Sequence, residues 1–180
     1  KYCHRPFDSV EAMDHELVDR WNAKVPKGAT VYHLGDFCFY KDPAQALEVL
    51  HSLNGDIHIV AGNHDNWWEK NGCVRDKWRK VVDCFATIDH GIAEHKLAKK
   101  LVVLCHYPIE AWNGKLHGSW HFHGHSHGGA TAVKGRLDVG VDALPAPDND
   151  YAPWSCAEIV RYMTVDASMT TTVSFDGKSL

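Results

Sequence analysis

The stretch Asp56-Ile57-His58-Ile59-Val60-Ala61-Gly62-Asn63-His64-Asp65 decides the fold. Its first six residues read as a short strand, and that strand delivers a polar tetrad at its edge. Upstream, Thr30-Val31-Tyr32-His33-Leu34 is a β-branched and aromatic run that ends on Gly35-Asp36 in the same way. Asp36 is therefore expected at the C-terminal edge of a buried strand. Between the two runs, Asp42-Pro43-Ala44-Gln45 starts a helix with Asp42 as N-cap and Pro43 at the first helical position, and Gly55 closes it. The product is β-α-β with polar residues at both strand ends, which places ligand chemistry in the crevice of an α/β sheet.

Working outward, Asp8 and Glu11 read as a capping box for a packing helix on which Val10, Met13, Leu17, Val18 and Trp21 recur at helical spacing to about residue 23. Pro26-Lys27-Gly28 breaks it. Residues 74–83 read as a further helix with Lys77, Arg79 and Lys80 on a solvated face. From Phe85 the texture changes to short strands, over 86–88, 92–97 and 101–105, with a turn at Lys99-Lys100. The strand 101–105 ends on His106-Tyr107-Pro108, a third strand end carrying a ligand type. Residues 120–123 and 136–141 complete the strands, and Ser155 with Glu158 caps a terminal helix to about Met163. The 169–175 run has strand composition and no assignable partner.

Fourteen histidines stand among 180 residues, and four of them, His121, His123, His125 and His127, occupy alternate positions in one run. In an extended chain, alternation points side chains to one face, and imidazoles at that density suggest a metal. Gly124 and Gly128 interrupt the run where a strand would end and a tight loop begin. Single histidines such as His33 and His58 read instead as packing residues.

Composition bounds the function. With 44% hydrophobic and 23% charged residues the chain has ordinary globular composition and enough length for one domain with a sizeable core. A formal net charge of -4 argues against a broad basic surface for nucleic acid. Six scattered cysteines without a C-x-x-C pair indicate neither a zinc knuckle nor a disulfide framework, so a reducing, cytoplasmic setting is expected. No apolar run has the length of a membrane span, and no signal peptide or membrane partner is expected.

Four strand ends thus carry Gly35-Asp36, Gly62-Asn63-His64-Asp65, His106 and Gly124-His125-Ser126-His127. One carboxylate, one amide and three imidazoles make the mixed N/O donor set of a dinuclear transition-metal site. In this order and spacing the motifs resemble those of the calcineurin-like metallophosphoesterase family. The resemblance implies a four-layer α/β/β/α sandwich over residues 1–168, followed by a strand-like tail over 169–180. It implies two divalent cations about 3.5 to 4 Å apart, manganese first, with iron, zinc or nickel also suited to N/O donors. By position Asp36 resembles the bridging carboxylate, Asn63, His106 and His125 the remaining ligands of one metal, and His127 a ligand of the other. His64 resembles the general acid, with Asp65 holding its ring. The implied reaction is hydrolysis of a phosphodiester or phosphomonoester by a metal-activated hydroxide, on a small-molecule or nucleotide substrate.

One departure stands out: the family opens with an Asp-x-His motif on its first strand, and no Asp-x-His in suitable strand context precedes Gly35-Asp36 in these residues. Lys1-Tyr2-Cys3-His4-Arg5-Pro6-Phe7 resembles the segment that follows that strand. Truncation, degeneration and rearrangement are the competing explanations; in the last, the 169–180 tail would supply a strand near the first one's place. His4 is a minor candidate for a substitute ligand. Two other functions compete, a non-catalytic domain holding one structural zinc and a nuclease of the same fold whose Trp67, Trp68, Trp112 and Trp120 stack bases. Core packing is the favoured reading of those tryptophans.

Overall fold

A computed structural model describes residues 5–69, 72–143 and 151–169, with side chains described to residue 165. His4 and the tail beyond residue 169 lie outside the described residues. Among the described residues the architecture is mixed α/β with two sheets and four α-helices. The helices are α1 (Val10–Lys24), α2 (Pro43–Ser52), α3 (Arg79–Val82) and α4 (Cys156–Met169). The strands are β1 (Thr30–His33), β2 (Asp56–Val60), β3 (Thr87–Asp89), β4 (Ile92–Leu97), β5 (Lys100–Cys105), β6 (Trp120–His123) and β7 (Arg136–Asp138). None of the described helices is long and apolar enough to cross a membrane.

The first sheet is parallel, ordered β1-β2-β3, with Val31 opposite Ile57 and Ile59 opposite Ile88. The second is ordered β4-β5-β6-β7: β4 and β5 form an antiparallel hairpin, and β5, β6 and β7 run parallel. Alternation along β2 explains how the layers stack. Ile57 and Ile59 point to one side, where Ala46 and Leu50 of α2, Val81 of α3, Trp67, Trp78 and Phe85 bury them. Val60 points to the other side and joins Val102, Leu104, Trp120, Phe122 and Leu137 of the second sheet. Each buried Val, Leu, Ile or Phe side chain among these contributes about 1.5–3 kcal/mol. Ile159, Val160, Tyr162 and Met163 of α4 pack against this same intersheet cluster. The outer side of β6 carries His121, which meets Trp112 from the 106–119 loop at 5.3 Å.

Several local expectations shift. Ser9, not Asp8, caps α1, accepting from the Ala12 amide at 3.0 Å. The apolar stripe of α1 is only half-buried, and Val10 is exposed. β1 alternates exposed and half-buried residues instead of being buried, because it is an edge strand whose one partner among the described residues is β2. Residues 74–83 split into a 3-10 turn at Asp76–Trp78 and the single turn of α3. The β4–β5 turn falls on Ala98-Lys99, both left-handed (φ 49 and 66), as a two-residue hairpin matched to strand twist requires. Asp42 caps α2 as expected, and Ser155 and Glu158 form the reciprocal box that starts α4.

Trp67, Trp112 and Trp120 are buried in packing, and Trp68 is half-buried against His90 at 4.6 Å. That packing matches the favoured reading of the tryptophans and leaves three of them no face for a base. His58 bonds Thr87 Oγ1 at 2.8 Å, and His33 packs between Trp21 and Phe37.

Burial pushes the pKa of His33, His121 and His123 below the ordinary value, with desolvation the largest cause in each. The unfolded chain takes up these protons near pH 6.5, whereas the folded chain resists them until lower pH. Stability is therefore complete above about pH 6.5 and falls as pH drops below it, at up to about 1.4 kcal/mol per pH unit per histidine. Urea midpoints of metal-free protein should fall between pH 7.5 and 5, and less steeply in His121→Gln. A flat profile would show that these imidazoles are solvated.

Candidate metal centre

Two strand ends of the first sheet are brought into contact by glycine. Gly35 adopts φ 88, and a Cβ there would overlap Gly62 and stand 2.8 Å from His106 Nδ1. A Cβ on Gly62 would overlap the Asp36 carboxylate and stand 2.8 Å from His106 Cε1. Only side-chain-free residues permit this approach. Asp36 is itself left-handed (φ 54), as are His125 (φ 63) and His127 (φ 46). Non-glycine residues held there carry strain, which persists where the surroundings over-determine the conformation.

Asp65 supplies that determination. Its buried carboxylate accepts from the amides of Asp36 (2.9 Å), Phe37 (2.9 Å) and Gly62 (2.7 Å). The expected bond to the His64 ring is replaced by this backbone clasp, because the chain turns at Gly62 and carries Asp65 inward while His64 stays exposed. His64 is placed through its amide, which donates to Asp36 Oδ1 at 2.7 Å, and its ring lies 4.8 Å from that of Phe39.

His106, buried at the end of β5, is the centre of the cluster. Its Nδ1 stands 2.7 Å from the Leu34 carbonyl, which can only accept, so Nδ1 carries a proton and, in the neutral ring, Nε2 presents its lone pair. Around Nε2 stand Asn63 Oδ1 at 2.9 Å, His125 Nδ1 at 3.1 Å and Asp36 Oδ2 at 3.5 Å. The ligand atoms of Asp36, His106 and His125 lie within 4.8 Å of one another, and they are the one such group of three among the described residues. Four electron-pair donors converging at these distances fit a divalent cation with N/O preference.

His127 is placed differently. It is 58% exposed, and its Nδ1 pairs with Asp142 at 2.8 Å, while Arg5 grips the same carboxylate with two bonds of 2.7 Å. Asp138 holds the loop in between, accepting from Ser126 Oγ at 2.5 Å and from the Gly128 amide at 3.0 Å. Of the residues expected to serve two metals, Asp36, Asn63, His106 and His125 converge, and His127 stands apart with Asp142. His121 and His123 are buried strand residues bonded to backbone, His121 to Val103 O and His123 to Gly124 O. Asp138, Asp142 and Arg5 carried no sequence signal, since each acts through a contact with a loop distant in the chain.

The fold and centre together define a two-sheet α/β protein with a histidine–carboxylate cluster at the strand ends. No family model matches the chain. It is 35% identical over 128 residues to the uncharacterized protein MJ1445 of Methanocaldococcus jannaschii, covering 71% of this chain and 60% of that protein. The chain thus spans about 60% of the length of this curated relative. It also resembles the crystal structure of a protein of unknown function, AQ665 from Aquifex aeolicus. That match has a TM-score of 0.59 and 21% identity, and covers 86% of this chain and 87% of the other. This likeness shows a shared fold.

Proposed function

We propose that the chain is a metal-dependent phosphoesterase of the calcineurin-like type. The observation that carries this reading is the convergence of Asn63 Oδ1, His125 Nδ1 and Asp36 Oδ2 on the lone pair of His106 Nε2. The order of the four strand-end motifs supports the family. The helices outside the first sheet and the second sheet inside it support three layers of the four-layer sandwich.

Asp36, Asn63, His106 and His125 would hold one divalent cation, with manganese, iron, zinc or nickel all suited to the donors. A second cation would draw on Asp36 and His127. When bound, the metal supplies Lewis-acid polarisation of the phosphate and activation of water. Asn63 adds a donor without adding negative charge, which leaves the centre attractive to a phosphate ester. His64 holds a proton for the leaving oxygen, and its bond to Asp36 ties the acid's position to a metal ligand.

The test uses leaving groups of different basicity. Manganese-dependent hydrolysis of bis(p-nitrophenyl) phosphate and of glycerophosphoethanolamine is measured for the protein and for His64→Ala. The variant should retain metal and lose about 10²–10⁴-fold on the alkoxide leaving group, with a much smaller loss on p-nitrophenolate, which leaves as a stable anion. Equal losses on both substrates would remove the acid role. Absence of hydrolysis in metal-loaded wild-type protein would favour the competing reading, a non-catalytic metal domain.

A further inference from the structure

We infer that Phe39 and Tyr107 form aromatic walls beside the metal centre and select phosphate esters that carry a flat ring, a nucleobase or a phenol. The inference rests on the phosphoesterase reading for the phosphate, and on separate observations for the ring. Phe39 is 74% exposed although it is fully apolar, and its ring lies 4.8 Å from the His64 ring at 50°. Tyr107 is 44% exposed and stands edge-on to two cluster imidazoles, His125 at 4.8 Å and His106 at 5.0 Å. Other exposed apolar residues, such as Ile92 and Leu116, sit at a strand start and on a loop turn, where single exposures are ordinary. Phe39 and Tyr107 differ in flanking the cluster, one against the candidate acid and one against two candidate ligands.

A phosphate at the cluster would place its ester group within reach of these rings. Leaving both exposed wastes apolar area that an incoming ring can cover, and ring–ring contact adds to the area term. Stacking of this kind tolerates different bases because every base has a π-face. Binding sites commonly combine such apolar walls with a few polar groups that fix orientation. Here the polar groups are the cluster itself and His64.

The experiment measures binding rather than turnover. Dissociation constants of adenosine 5′-monophosphate, phenyl phosphate and glycerol 3-phosphate are determined by calorimetry on manganese-loaded protein. Ring-bearing phosphates should bind at least about fivefold tighter than glycerol 3-phosphate, as base–aromatic stacking allows. That advantage should vanish in Phe39→Leu/Tyr107→Leu and survive in Tyr107→Phe. An advantage for both ring compounds supports a general flat-ring pocket, and one confined to the nucleotide supports a nucleobase. Equal affinities in the wild type, or an advantage that survives the double substitution, would overturn the inference. Ring selectivity without hydrolysis would sink the phosphoesterase reading and keep the walls; hydrolysis without ring selectivity would do the reverse. No affinity for any of the three would overturn both.

Discussion

His106→Ala and His125→Ala should each lower manganese affinity by at least about 100-fold, measured by calorimetry or by metal content after gel filtration. Loss of a partner behind a metal ligand already costs 10–100-fold, so loss of a ligand should cost more. The two substitutions separate binding from folding. His106 is buried and bonded to Leu34 O, so its removal also weakens the fold. His125 is exposed, so its removal should leave the urea midpoint of metal-free protein nearly unchanged while abolishing the metal-induced rise in stability. Wild-type affinity in His125→Ala would show that Asp36, Asn63 and His106 suffice, and the four-donor assignment would fall.

The second large effect is on stability. Asp65→Ala should destabilise the protein by about 3–5 kcal/mol, because three amides lose a charged acceptor that is itself buried. It should also release the left-handed Asp36, so metal affinity falls although Asp65 touches no ligand atom through its side chain. Denaturant unfolding measures the first effect and metal titration the second. A stable variant with intact metal binding would show that the two glycines alone hold the strand ends together.

The elements were legible where local chemistry decides them. Asp42-Pro43 starts α2 and Ser155 with Glu158 starts α4 because caps act within three residues. The run 56–61 reads as a strand because its β-branched residues, Ile57, Ile59 and Val60, suit a pleated backbone whatever packs on it. The burial of β1 was misread because composition does not say whether a strand lies at an edge. The helix expected over 74–83 divides at Trp78, whose ring turns into the core beside Trp67 at 6.0 Å.

For the candidate site, the sequence by itself determined which residues could act. Asp36, Asn63, His64, His106 and His125 stand at strand ends, and a strand end is set by turn residues within a few positions. Tertiary structure alone decided what each one contacts. Asp65, adjacent to His64 in the chain, turns away from it to clasp Asp36, Phe37 and Gly62, because the amides of Asp36 and Phe37, 29 and 28 residues away, and of Gly62, three away, all donate to its buried carboxylate. His127, two residues from His125, leaves the cluster for Asp142, which Arg5 holds from 137 residues away. Proximity in sequence cannot resolve such competitions, since hydrogen bonds and ion pairs depend on separation in space and not along the chain.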